Sequence, residues 1–467
     1  MPSSPLPAPS STAHFLIDRA HMIRRRIAVI GAGAAGLAAA LELRREGHGV
    51  VVFERAGRLG GTWVYSPAID SDPLGTNPKR EVVHSSLYES LRTNLPRECM
   101  GFFSYPFAAV ADASERDSRR FPGHREVLRY LEEFATDFDL HRLVRLRTEV
   151  LRVEMEEDGG WALWTRRIGG GGAADEREIY DGVVVCNGHF TEPRVAEIPG
   201  IEAWPGEQIH SHNYRIPDPF HDKVVVIIGS SASAVDISRD IVGYAKEVHI
   251  ASRSECAGAP MKEPGYDNLW LHSMIERVLS DGTVLFEDGS SAQVDVIIHC
   301  TGYKYTFPFL KTSGIVNVDD NRVGPLYKHV FPPQTAPFLS FIGLPWKVTL
   351  FPLFELQSKW VAGVLSGRIS LPTPEEMMED IKNFYSEMEQ SGWPKRYTHN
   401  LANCRCKHMD WLASQCGFPP VEEWRHQMYD VSQKNRFLHP ESFRDEWDDD
   451  DLVNQAHQDF KKLLISR

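Results

Sequence analysis

A strand, a glycine turn and a helix occur twice in this 467-residue chain, 198 residues apart, and no other feature narrows the fold as much. The first copy is the apolar run Arg26-Ile27-Ala28-Val29-Ile30, of buried-strand type, which feeds into Gly31-Ala32-Gly33-Ala34-Ala35-Gly36 and a helical run from Leu37 to Arg45. Gly31 permits the tight turn, Gly33 lets backbone N–H groups approach a pyrophosphate, and Gly36 lets helix and strand pack closely, with the phosphate at the helix N-terminus. A second strand, Val50 to Phe53, ends in Glu54, 23 residues after Gly31. A carboxylate there can accept from both hydroxyls of an adenosine ribose. The bland alternative, a glycine turn opening an ordinary helix, needs strand, glycines and acid to coincide by chance.

The second copy is Lys223 to Ile228, then Gly229-Ser230-Ser231-Ala232-Ser233-Ala234, then a helical run from Val235 to Tyr244. Ser231 and Ala234 replace two glycines and are compact enough for the turn and the packing contact. Aligning Gly229 with Gly31 places Ser252 where the first copy has Glu54, with Arg253 beside it at the end of the strand Glu247 to Ala251. A carboxylate would repel a 2′-phosphate, whereas Ser252 and Arg253 can bind one, so this unit is expected to take NADP rather than NAD. The alternative is a surface arginine after an edge strand.

Two units with different ribose readers imply two different dinucleotides, and the first is expected to hold FAD. Its further signature is Gly57-Arg58-Leu59-Gly60-Gly61-Thr62-Trp63, where a glycine pair lets the chain pass close to a flavin and Trp63 can cover it. Taken alone, Gly60-Gly61 is as easily a plain turn.

The length predicts two or three domains. A net charge of −13 argues against a nucleic-acid partner, since phosphates need a basic footprint. Seven cysteines, odd and sparse, fit a reducing compartment better than a disulfide framework. Residues 1–25 read as a flexible extension more readily than as a transit segment, because Pro2, Pro5, Pro7 and Pro9 spoil an amphipathic helix. No apolar run reaches the ~18 to 20 residues of a membrane span, so the expected location is cytoplasmic. The acidic run Asp445 to Asp451 reads as a solvated surface segment. No metal site is expected: Cys404, Cys406 and His408 lack the spacing and a second ligand pair. There is no GxSxG, HExxH or CxxC, so hydrolysis and dithiol–disulfide exchange have no candidate. His84, His189 and His329 read as structural histidines, and Phe102, Phe103, Tyr105 and Phe107 as core.

Beyond these units, Trp204-Pro205-Gly206-Glu207-Gln208-Ile209-His210-Ser211-His212-Asn213-Tyr214 matches FxGxxxHxxxY with Trp for Phe. Val184 to His189, Cys300-Thr301-Gly302-Tyr303 and Phe354 to Trp360 are further family-like segments. On these the chain, from Arg26 to about Asp459, resembles the flavin-containing monooxygenases, most closely their plant S-oxygenating branch. The resemblance implies an α/β fold of two Rossmann-like domains, the NADP domain inserted into the FAD domain. The boundaries are 26–205 for the first FAD part, 206–300 for the NADP domain, and 301–467 for the second FAD part with a C-terminal segment. Strands Val183 to Val185 and Val294 to His299 fit the crossings, and Gly169 to Gly172 a flexible hairpin tip between Trp161 to Trp164 and Arg177 to Val185.

The resemblance also implies the chemistry. NADPH reduces FAD, O2 forms a C4a-hydroperoxyflavin, and a soft nucleophile, the sulfur of a small thioether before an amine, takes one oxygen. By family position Asn94 sits at the flavin and the bound oxygen; otherwise it is a turn Asn before Pro96. Gln357, opening a helix from Gln357 to Leu365, is aimed at the flavin. The rivals are N-oxygenation, 2-oxo-acid decarboxylation of the auxin-forming type and, more distantly, a non-catalytic NADP sensor. The sequence leaves the oligomeric state open.

Overall fold

The computed structural model describes residues 23–109, 116–169, 175–253 and 259–465. The N-terminal extension lies almost wholly outside them, as do most of the 169–172 tip and Cys256. Both apolar runs are central strands of parallel sheets. In the first sheet the order is Leu339–Phe341, Gly182–Val185, Arg26–Ile30, Gly49–Phe53, Val144–Arg145, all parallel. In the second it is Met261–Lys262, Leu269–His272, Glu247–Ala251, Val224–Ile228, Val296–His299, Glu207–His210, with only Met261–Lys262 antiparallel. Covered on both faces, such strands read as continuous apolar runs, and Ile27, Ala28, Val29, Val225, Val226 and Ile227 are all fully buried. The chain leaves the first sheet after Val185, builds the second between Glu207 and His299, and returns at Leu339.

The two units agree to the hydrogen bond. Gly31 N–H donates to the Phe53 carbonyl at 2.8 Å and Gly229 N–H to that of Ala251 at 2.9 Å. Cys186 N–H donates to Ile30 at 2.9 Å and Cys300 N–H to Ile228 at 3.0 Å. Gly31 (φ +102°) and Gly229 (φ +117°) are left-handed, and a Cβ on either would lie 2.5 and 2.7 Å from the Cys186 and Cys300 carbonyl oxygens. Only glycine fits both conditions. At the third motif position the units differ: a Cβ on Gly36 would lie 1.8 Å from the Gly31 carbonyl oxygen, whereas the second unit carries the buried Ala234 there. The first helix therefore sits closer to its strand.

Several elements depart from the sequence expectation. The run Arg177 to Val185 is two strands in two sheets, Glu176–Tyr180 in an antiparallel sheet with Trp161–Arg167 and Gly182–Val185 in the parallel one. Asp181 makes the break, donating its N–H to the Arg26 carbonyl at 2.8 Å and accepting from Arg26 N–H on its carboxylate at 2.6 Å. The run Val294 to His299 begins two residues late, at Val296, because Val294 N–H pairs with Gly282. The second helix spans Ala232–Ile241 and stops short of Gly243 and Tyr244. The helix expected from Gln357 starts seven residues earlier and spans Leu350–Leu365, since Pro352 stands in its first turn, where no N–H is lost.

That helix packs along Ala34–Arg45, and Lys359 ties the two together. Its ammonium lies 2.8 Å from both Glu42 and Glu355, all three side chains less than a tenth exposed. The acidic run is not simply solvated. Asp449 is buried and grips Arg120 with both oxygens, and Asp445 pairs with Arg92 at 2.8 Å. Phe102 and Phe107 are core, Phe102 lying 4.6 Å from Phe134 and 5.2 Å from Phe351 between ring centroids.

Three fully buried histidines are held neutral by their geometry. His210 Nδ1 accepts from His212 N–H at 3.0 Å, His299 Nδ1 from Ala196 N–H at 3.2 Å, and His399 Nε2 from Val323 N–H at 3.1 Å. A proton on that nitrogen would face an N–H. Burial lowers all three, His210 and His399 to about 3 and His299 to about 4. The unfolded chain binds these protons near pH 6.5 and the native one does not, so stability falls as pH drops from 6.5 toward 4. Each histidine contributes a loss on the order of 2 kcal/mol by pH 5. A melting temperature unchanged between pH 7 and 5 would refute this. Gly36→Ala is expected to lower stability by about 2–4 kcal/mol, read as a urea midpoint, and Ala234→Gly by about 1 kcal/mol or less.

Candidate active site

The first turn is built to receive an anion. Gly33 begins the Ala34–Arg45 helix with no side-chain cap and no acid in the first turn, so its leading N–H groups are free of competing carboxylates. The segment carrying Gly61, Thr62 and Trp63 crosses directly above. Gly60 N–H donates to the Ala32 carbonyl at 2.9 Å, and a Cβ on Gly61 (φ +57°) would lie 2.9 Å from the Gly33 Cα. Gly60-Gly61 is thus no plain turn. Glu54 follows the last residue of the Gly49–Phe53 strand, and its carboxylate accepts from Ala32 N–H at 2.8 Å and Ala56 N–H at 2.7 Å. Trp63 is half-buried and stands edge-on to Phe351 at 6.4 Å.

Gln357 reaches the same turn from the Leu350–Leu365 helix. It is fully buried, its Oε1 accepts from Gly343 N–H at 3.1 Å, and its Nε2 has no partner among the described residues. Gly343 lies against Ala35. An unpaired amide buried beside the helix start is costly unless a ligand accepts from it. Gln357 therefore offers a side-chain amide two turns into its helix, not a helix terminus.

The second turn repeats the first with a different rim. Ser231 begins Ala232–Ile241 without a side-chain cap and with no first-turn acid. The sheet registers pair Ile30 with Phe53 and Ile228 with Ala251, which makes Glu54 and Ser252 structurally equivalent. Ser252 is buried, its N–H donating to the His272 carbonyl at 3.2 Å, while Arg253 is exposed. Glu247–Ala251 is an interior strand, flanked by Val224–Ile228 and Leu269–His272, so Arg253 does not follow a sheet edge.

Asn94 sits in a bend before the short helix Arg97–Met100, exposed, and its side chain has no partner among the described residues. The usual local role of such an Asn is to accept from the N–H two residues on, but that residue is Pro96, which has none. Among the described residues no hydrogen bond joins Asn94 to either glycine turn. The short helix that follows it packs on Leu350–Leu365, whose Phe351 meets Trp63. The motif from Trp204 to Tyr214 is scaffold. Trp204 is buried against Gly206, His210 bonds the Gly302 carbonyl at 3.0 Å, and the Tyr214 hydroxyl donates to Asp240. It ties the outer strand of the second sheet to the returning crossing. His189, half-buried beside Tyr305, is pushed down by burial to about 4.

Arg444 and Asp236 carry no motif that marks them in the sequence. Arg444 Nε donates to the Thr93 carbonyl, next to Asn94, at 2.9 Å, and its Nη2 pairs with Asp236 of the Ala232–Ile241 helix at 2.8 Å. Residues 93, 236 and 444 share no local pattern that could have revealed them.

Two uncapped helix starts, a glycine segment lying on the first of them, and an unpartnered buried amide all suit dinucleotides. The comparisons agree. Residues 24–268 and 266–424 match the FMO-like family, described as flavin-binding monooxygenase-like. Flavin-containing monooxygenase FMO GS-OX-like 4 of Arabidopsis thaliana is 59% identical over 442 residues, 93% of this chain and 96% of its own length. The solved structure of S-allyl-L-cysteine S-oxygenase from Allium sativum is 61% identical, with a TM-score of 0.92, covering 95% of this chain and all of that one. Tmm from Pelagibacter sp. strain HTCC7211, 25% identical, superposes with a TM-score of 0.75 over 90% of this chain and 93% of its own. With both glycine turns in place and the match running nearly end to end, this chain belongs to the flavin-containing monooxygenases, enzymes that work with FAD and NADPH.

Proposed function

We propose that the protein is an S-oxygenase: thioether, O2, NADPH and a proton give sulfoxide, water and NADP⁺. The observation that carries this reading is the 61% identity, across 95% of the chain, with a protein whose substrate is S-allyl-L-cysteine. In this reading Gly31, Ala32, Gly33, Ala34, Ala35, Gly36 and Glu54 hold FAD, with Gly61, Thr62 and Trp63 over it and Gln357 Nε2 donating to it. Gly229, Ser230, Ser231, Ala232, Ser233 and Ala234 hold the NADP pyrophosphate, and Ser252 and Arg253 its 2′-phosphate. The inserted unit then spans 206–300. Bound flavin and nicotinamide supply the two-electron transfer and the activation of O2.

The chain's own part is to bind, orient and keep water out. The Asn94 amide, which has no partner among the described residues, can donate a hydrogen bond to the reacting oxygen once ligands cover the bend. Among the described residues the cysteines are free, with Cys99, Cys186, Cys300 and Cys416 buried, which supports a reducing compartment such as the cytoplasm. No helix among the described residues is long and apolar enough to cross a membrane.

The test is NADPH consumption over a panel of thioethers, amines and 2-oxo acids, with H2O2 measured alongside. Thioethers are expected to give sulfoxide in step with NADPH. Turnover confined to amines or 2-oxo acids would replace the S-oxygenase reading, and a colourless protein without flavin absorbance would replace the enzyme. Arg253→Ala is expected to raise the Kd for NADPH about 10- to 100-fold, the loss of a charge-assisted contact, while NADH and bound flavin are unaffected. Flavin loss in that variant would mean that the two turns are assigned the wrong way round. Asn94→Ala is expected to keep flavin reduction within about two-fold and lower sulfoxide formation about 100-fold, the oxygen appearing as H2O2. Unchanged product yield would remove Asn94 from the site.

A further inference from the structure

The Asn94 bend is held from one side by the C-terminal segment, through two arginines that reach in opposite directions. Arg92 of the bend grips Asp445 with two bonds of 2.8 and 3.0 Å and donates to the Arg444 carbonyl at 3.2 Å. Arg444 returns the contact, donating from Nε to the Thr93 carbonyl at 2.9 Å. Its other arm crosses to the second unit and meets both oxygens of Asp236, at 3.0 and 2.8 Å. Asp236 accepts further from the Tyr88 hydroxyl at 2.7 Å. Both ends are largely shielded, Arg444 at 17% and Asp236 at 12% side-chain exposure, so the pair is less screened than a surface contact.

Asp236 lies two residues beyond Ala234, on the helix whose start forms the second phosphate turn. One guanidinium thus spans from that helix to the carbonyl preceding Asn94. A second bridge runs from the same helix to the same C-terminal segment without touching the bend: Arg239 pairs with Glu441 at 2.5 Å and with Glu263 at 2.9 Å. It provides an internal comparison.

We propose that Arg444 is a positioning residue that transmits occupancy of the second turn to the Asn94 bend, through Asp236 on one arm and the Thr93 carbonyl on the other. The proposal rests on the assignment of the second turn to NADP and of Asn94 to the oxygen site. Its physical content is a coupling free energy: a dinucleotide that fixes the Ala232–Ile241 helix fixes Asp236, hence Arg444, hence the Thr93 carbonyl beside Asn94. Linkage makes the effect reciprocal. The planar guanidinium suits the task because its separate N–H groups serve both partners at once, which one ammonium cannot do in the same geometry.

The test is amide hydrogen exchange on the flavin-loaded enzyme, with and without NADP⁺. In the parent, NADP⁺ is expected to slow exchange about five-fold or more both in residues 229–236 and in residues 91–97. In Arg444→Gln, and separately in Asp236→Asn, protection of 229–236 is retained and protection of 91–97 is lost. Arg239→Gln keeps both. Equal protection of 91–97 in parent, Arg444→Gln and Asp236→Asn overturns the proposal, as does its loss in Arg239→Gln, which would mean general docking of the two units. The second measurement is the share of NADPH electrons recovered as H2O2. It is expected to rise about five-fold or more in Arg444→Gln and Asp236→Asn, with the rate of flavin reduction within two-fold of the parent. Lost exchange coupling without extra H2O2 would uphold Arg444 as the link and overturn the role given to Asn94. If Arg444→Gln does not fold, the isosteric Asp236→Asn carries both measurements.

Discussion

A backbone carbonyl occupies the space that a side chain would need at the first glycine of each turn. In one unit it belongs to Cys186 and in the other to Cys300, and in both it is the residue after the strand that pairs with the central strand on the side opposite Glu54 or Ser252. This contact sets the rest of the architecture. It forces a left-handed glycine, which turns the chain sharply out of the central strand and aims the next helix so that its unpaired N–H groups open at the sheet's end. Once the turn is set, the strand beside it delivers its terminal residue to the rim of the same opening. Glu54 and Ser252 occupy matched positions for this reason alone, and the chemical difference between them is free to select different ligands.

What was legible in the sequence was what covalent neighbours decide. Glycine spacing, the apolar strand before it and the residue ending the next strand lie within about 25 residues of one another, and the hydrogen bonds that join them are local to one βαβ unit. The misreadings share the opposite property. Asp445 and Asp449 look like part of a solvated run because their partners, Arg92 and Arg120, are 353 and 329 residues away. Asp181 looks like one more residue of a strand until Arg26, 155 residues earlier, claims its carboxylate. The neutral state of His210, His299 and His399 is likewise invisible in sequence, because it depends on which backbone N–H each ring faces.

The C-terminal segment gives this fold an attachment that neither sheet provides. Residues 441 to 449 touch the bend around Asn94 through Arg444 and Asp445, the neighbouring Arg120 through Asp449, and the helix of the second unit through Arg444 and Glu441. The side chains that do this are charged and their bonds directional, so the segment fixes orientation as well as proximity. Phe443 adds an apolar anchor against Phe121, with ring centroids 5.6 Å apart.

Cys186 and Cys300 have one more consequence. Each is also the first residue of a passage between the two units, the chain departing just after Cys186 and coming back just after Cys300. The two covalent links therefore begin at the floors of the two phosphate turns. The residue that shapes each turn is thus also the one at which the chain sets out from one unit toward the other.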